Sequence, residues 1–279
     1  MFTLKAVIIM ILSLKGGVGK STVSCSLAHY LSEVLGQKTA LWDLDITSPC
    51  VPKILGLSGK EIQVTKDAII PISYSENLKV LSLDSFLPSP DQPIIFKGAR
   101  KASVIEQFLK TVDFGDCKYL VLDTPPTTSE ELLTILELFD PKELNIVFVT
   151  QNSAVSNNSV IKSIRYLKEK GYPLKGLLCN MSSAICPKCS HEFHLFYDGG
   201  KSVEQIAEEY GIPYLGSIPM GEEMDGALLV GEHFKEVANR IIKGKVVRFK
   251  PTRGKIGTLD KLMLAFSIKR NLNKLDKEA

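Results

Sequence analysis

The chain has 279 residues, is 44% hydrophobic and 23% charged, and carries a formal net charge of +3. That length suits one large α/β domain with appendages, and the composition is ordinary for a globular protein. No apolar stretch reaches the roughly 18 residues that cross a bilayer, and six scattered cysteines exclude a disulfide scaffold.

The charge is unevenly spread. Twelve Lys/Arg and three Asp/Glu lie from Arg240 onward, leaving 22 basic and 28 acidic side chains before it. A mildly acidic body with a basic tail lacks the footprint of a nucleic-acid binder.

In chain order, residues 6–12 (AVIIMIL) read as a buried strand and residues 23–31 have helical spacing. Because the first apolar run is short and leads straight into a glycine loop, it is expected to be a strand and not a signal peptide, in a cytoplasmic protein. Between strand and helix lie residues 15–22, KGGVGKST. A glycine loop in that context is built for phosphate: backbone N–H groups of Gly16, Gly17, Val18 and Gly19 face an anion, with the helix N-terminus behind them. Lys20 is expected to reach the β- and γ-phosphates, the Ser21 hydroxyl to ligate Mg²⁺, and Thr22 to complete the loop.

Further strand-like runs cover 39–43, 78–83, 119–123, 144–150, 174–180 and 214–218. Helical periodicity fills about 20–35, 101–112, 129–139, 154–170, 201–210 and 226–243. Continuous apolar strands alternating with helices predict an α/β fold, a mostly parallel sheet flanked by helices in three layers. Ligands of such sheets sit beyond the carboxyl ends of the strands. Asp43 and Asp45 end the second strand, and Asp123 ends the fourth in LDTPP. Aspartates there often cap helices, but beside a phosphate loop they suit Mg²⁺ and the attacking water. Asp123 is assigned to a Mg²⁺-bound water, with Pro125 and Pro126 stiffening a loop that senses the γ-phosphate.

Cys25, Cys50, Cys117 and Cys179 stand singly among apolar neighbours and read as core fillers. Cys186 and Cys189 are separated by two residues, so both sulfurs can face one metal. A pair supplies two ligands where about four are wanted. Two copies meeting would supply four thiolates; alternatively His191 and His194 complete a zinc site within one chain, or the pair stays a reduced dithiol.

Residues 15–21 resemble the deviant Walker A loop of the MinD/Mrp/nitrogenase-iron-protein group of dimeric ATPases. The resemblance implies that Lys15 reaches across a homodimer interface to the partner's nucleotide. It implies that Asp43 and Asp45 form a first switch, Asp45 orienting the attacking water, and that Asp123 opens a second. Asn180 falls where the group places an adenine-contacting asparagine, and Pro219 lies near a second base-contacting loop. Within the group, residues 48–56, 96–101, 180–189 and 214–219 look most like the Mrp/Nbp branch of iron–sulfur cluster carriers, over about residues 5–240. The chain departs from the pattern at Leu14, Lys97 and Thr127.

That likeness implies a P-loop ATPase domain over 1–243, with its cysteine segment near 180–194, and a basic tail over 244–279. It also implies ATP and Mg²⁺ as ligands, slow hydrolysis, a [4Fe–4S] cluster bridging two subunits, and apo iron–sulfur proteins as recipients. Leu259, Leu262, Met263, Phe266 and Leu272 give the tail the spacing of an amphipathic helix. A MinD-like switch acting at a membrane or in partitioning is therefore a second reading, and a zinc-stabilised ATPase a third.

Overall fold

The computed structural model describes residues 5–251 except 14, 46, 47, 67, 87–97, 127–129, 187, 190 and 195–199. Leu14, Lys97, Thr127 and the tail's apolar residues lie outside that set. In chain order the elements begin β1 (Val7–Leu12), α1 (Lys20–His29), β2 (Thr39–Asp43), α2 (Val51–Ile54), β3 (Gln63–Val64), β4 (Ile69–Ile70), β5 (Ile72–Ser73) and β6 (Leu78–Leu81). Then come α3 (Gly98–Thr111), β7 (Tyr119–Asp123), α4 (Glu130–Leu138), β8 (Leu144–Thr150), α5 (Ala154–Lys170) and β9 (Leu174–Ile185). The chain continues through β10 (Glu192–Phe193), α6 (Val203–Tyr210), β11 (Tyr214–Met220), β12 (Met224–Asp225), β13 (Leu228–Leu229) and α7 (Glu232–Lys243).

Nine strands form one sheet in the order β10-β9-β8-β1-β7-β2-β6-β5, with β11 also pairing β9. Every pairing is parallel except β5 with β6 and β10 with β9. Strand β1 lies between β7 and β8, so the chain leaves the sheet's centre into the glycine loop at the crevice where such folds bind ligands.

The period of two along β1 separates the two cores. Ile8, Met10 and Leu12 join Trp42, Leu122 and Phe148 beneath Leu109, Ile135, Ile164 and Ile206 of α3, α4, α5 and α6. Ile9 and Ile11 join Leu41, Val121 and Val149 beneath Val23 and Leu27 of α1 and Phe234 and Val237 of α7. Both faces are covered, which explains continuous apolar strands in place of alternating ones.

Three features depart from the sequence reading. The first helix ends in a π-helical turn over Tyr30–Val34. Residues expected to begin the last helix instead form the β12–β13 hairpin, and α7 starts only at Glu232. Strand β9 runs to Ile185, five residues past Asn180. Beyond α7, Val247 exchanges two backbone hydrogen bonds with Leu174, at 2.8 and 2.9 Å, and Lys168 lies over the Phe249 ring. The first residues of the basic stretch are thus docked on the body. No helix among the described residues is long and apolar enough to cross a membrane.

Candidate functional site

The glycine loop folds back over the end of β1 through left-handed backbone at Gly17 (φ 78°) and Gly19 (φ 80°), which other residues enter only with strain. A Cβ on Gly19 would also collide with Asn180 Nδ2. Gly19 caps α1 with no side-chain cap hydrogen bond and no acidic residue in the first turn. The helix therefore presents unneutralised N–H groups to the cleft, as an anion site requires. That cleft has a volume of about 260 Å³, and Lys15, Lys20, Ser21, Asp45 and Pro126 are among its walls. Lys15 is exposed at its rim.

Lys20 is only 6% exposed, and its Nζ lies 2.8 Å from Asp123 Oδ1. Ser24, one helical turn along α1 from Lys20, places its hydroxyl 2.8 Å from the same oxygen. The other oxygen, Asp123 Oδ2, is buried with no hydrogen-bond partner. An orphaned carboxylate oxygen suits a hard cation, and Ser21, whose hydroxyl lies 3.4 Å from Lys20 Nζ, lines the same cleft, so hard oxygen donors that fit Mg²⁺ are present.

Asp43 stands directly opposite Asp123 where β2 and β7 pair. Both carboxylates are buried, at 2% and 0% exposure. Burial, then the Asp123 charge, push the Asp43 carboxyl well above the usual carboxylate range, against Lys20 and the N–H groups of Val51 and Asp45. Those N–H groups donate to Asp43 Oδ2 and Oδ1 at 3.2 and 3.0 Å. Asp43 thus also organises the loop behind β2. Asp45 lies in the cleft wall, where its Oδ1 accepts the Ser48 N–H at 3.1 Å.

Asn180 is buried on β9 and donates from Nδ2 to the Val18 carbonyl at 2.8 Å. Pro219 is buried on the neighbouring strand β11. Past Asn180, β9 leaves the body of the sheet and turns back as β10. The Cys186 N–H donates to the His191 carbonyl at 2.9 Å, closing a hairpin with Cys186 and Cys189 at its tip. Cys189 is exposed. The backbone N–H of Lys188, then that of Cys189 and the Cys189 thiol, all bond to the Cys186 sulfur and hold it below the usual thiol range. A thiol so placed is readily the thiolate that a metal binds.

The histidines do not join the pair. His194 Nδ1 lies 3.2 Å from the Ser182 carbonyl, and His191 contributes its carbonyl to the hairpin. Among the described residues, no three His, Cys, Asp or Glu side chains gather as a metal site.

The family model described as ParA, NUBPL iron-transfer P-loop NTPase, matches residues 5–247. The chain belongs to that family. Among solved structures, this NUBPL-type chain is similar to a nucleotide-binding protein from Archaeoglobus fulgidus in complex with ADP. The two share 25% identity and a TM-score of 0.63, over 86% of this chain and 90% of that one. It has the fold of MinD from Pyrococcus horikoshii complexed with Mg-ADP, at 20% identity and TM-score 0.58, over 85% and 96% of the two chains. A plasmid partition protein from Borrelia burgdorferi shares that fold at 20% identity and TM-score 0.56, over 87% and 100%.

For this NUBPL-family chain, the reading of the single cysteines is corrected at one position. Cys25 and Cys179 are buried and Cys117 is half-buried, but Cys50 is exposed in the cleft wall and is no core filler. Its apolar neighbour Val51 starts α2 and points inward, while Cys50 precedes the helix. Ser24 and Met181 are functional-site neighbours that motif spacing did not flag. Ser24 was open to discovery, because it shares a helix face with Lys20.

Proposed function

We propose that the protein is a homodimeric, Mg²⁺-dependent ATPase that hydrolyses ATP slowly and carries a [4Fe–4S] cluster to apo iron–sulfur proteins. The observation that carries this reading is the cysteine hairpin. Its two thiols follow the same strand that touches the phosphate loop, and among the described residues no histidine gathers with them.

The loop N–H groups of Gly16, Gly17, Val18 and Gly19 bind the phosphates, and Lys20 moves from Asp123 onto the β- and γ-oxygens. Ser21 and Asp123, through a bound water, would hold Mg²⁺, which neutralises charge on the transferred phosphoryl group. Lys15 reaches the nucleotide of the second subunit, Thr22 steadies the loop, Asn180 and Pro219 flank the base, and Asp45 orients the attacking water. Asp43 fixes the loop that carries Asp45. The cluster is cargo. Each subunit offers Cys186 and Cys189, so four thiolates meet when two hairpins face each other.

The test is transfer. Anaerobically loaded protein should convert an apo-ferredoxin to its holo form faster than free iron and sulfide do. Cys186→Ala and Cys189→Ala should abolish transfer and leave ATP binding intact. Equal rates for wild type and variants would end this reading.

A further inference from the structure

We propose that Met181 links occupancy of the phosphate loop to the geometry of the cysteine hairpin within one subunit. The inference rests on the nucleotide reading of the loop, and its consequence for cargo rests on the carrier reading.

Met181 is the one non-glycine residue with positive φ among the described residues, at 51°. An L-residue occupies that conformation only when its surroundings hold it there. Two contacts do so. Its methyl carbon lies 3.5 Å from where a Cβ of Gly19 would stand, against the loop itself. Its sulfur accepts a hydrogen bond from Gln151 Nε2 at 3.1 Å, at the end of β8.

The ladder breaks at the same place. Ile218 pairs Asn180 and Met220 pairs Ala184, so two steps along β11 oppose four along β9. The additional residues of this bulge lie between the loop contact and the hairpin. Only four residues lie between Met181 and Cys186, a reach of at most roughly 17 Å of chain.

The loop end of this path responds to phosphate for a simple reason. Val18 C=O and Gly19 N–H belong to one peptide unit. When the N–H donates to an anion, the carbonyl becomes a stronger acceptor for Asn180, and the bond at 2.8 Å tightens. Asn180 and Met181 are consecutive, so β9 is drawn onto the loop at the point where it bulges. The bulge passes this change to the strand that carries Cys186.

Hydrogen exchange of the hairpin amides, with and without Mg-ADP, reads this without any metal present. In wild type, nucleotide should slow exchange at Cys186 and at 191–193 by at least about fivefold. Met181→Asn keeps a side chain that tolerates positive φ but removes the methyl carbon beside Gly19 and the sulfur that accepts from Gln151. It should bind Mg-ADP within about threefold of wild type while the hairpin effect falls below about twofold. Gln151→Ala, which leaves Met181 in place, should give an intermediate ratio and covers the case in which Met181→Asn fails to fold.

Hairpin exchange that ignores nucleotide in wild type, or Met181→Asn keeping the full effect, overturns the proposal. Anaerobic iron and sulfide reconstitution of the same samples, followed by visible absorption, separates the two readings. Nucleotide-sensitive exchange in protein that takes up no cluster would sink the cargo reading alone; cluster uptake with insensitive exchange would sink the coupling alone.

Discussion

Lys20 and Asp123, 2.8 Å apart, form the only ion pair among the described residues in which both side chains are buried. The residue proposed to grip phosphate is thus held by the residue proposed to face Mg²⁺, and on that proposal nucleotide loading draws them apart. Removing one partner of a buried pair leaves an uncompensated charge and typically costs about 3–5 kcal/mol. Lys20→Ala should therefore abolish ATP binding by calorimetry and also lower the unfolding midpoint. Unchanged ATP affinity in this variant would remove the phosphate assignment.

Asp43 predicts a pH dependence. Its pKa is raised in the folded state, so ionisation there opposes folding. The stability it permits is fully present below the unfolded carboxylate value of 3.8 and is lost as pH rises toward the folded value. Asp43→Asn cannot ionise. In nucleotide-free protein, the stability of the variant relative to wild type should increase from pH 4 upward. Parallel denaturation curves at every pH would contradict this.

Asp45 and Lys15 should separate by phenotype. Asp45→Ala is expected to bind ATP and hydrolyse it poorly, because that carboxylate is assigned to water and not to phosphate. Lys15→Ala should bind ATP and fail in nucleotide-dependent dimerisation, measured by sedimentation. A Lys15→Ala protein that dimerises normally with ATP would place that lysine outside the interface.

The strands, and the placing of the glycine loop beside its carboxylates, were legible because each carries a local signal. Apolar runs of the right length read as buried strands, and a glycine loop between strand and helix has the context of a phosphate site. What escaped depends on tertiary partners. Ser182 and Ser183 interrupt the apolar run after Asn180, so the local pattern ends the strand there, yet β10 pairs Ala184 and Ile185 and β11 pairs Ala184. Ser24 and Met181 acquire their places from contacts 99 and 30 residues distant. Cys50 looked apolar by its neighbours, but the turn into α2 faces it outward.

The docked stretch after α7 sharpens the prediction for the basic tail. Lys175 is buried and its Nζ donates to the Gly244 carbonyl at 2.5 Å, and Pro251 packs against Gly171. Truncation after Pro251 should leave ATP binding and stability unchanged. Truncation after Lys243 should cost about 1–3 kcal/mol, from the lost Val247 bonds and the unpartnered lysine. Wild type is expected not to co-sediment with anionic liposomes. Robust, salt-sensitive co-sedimentation removed by the shorter truncation would favour the MinD-like reading.

The most direct test of the carrier account is metal stoichiometry after anaerobic reconstitution. Four thiolates from two hairpins hold one cluster, so the account predicts about four iron atoms per dimer. Loss of either Cys186 or Cys189 should remove them, and His191→Ala and His194→Ala should change little. About one zinc per monomer, lost with either histidine and not displaced by iron and sulfide, would contradict the account and leave a zinc-stabilised ATPase in its place.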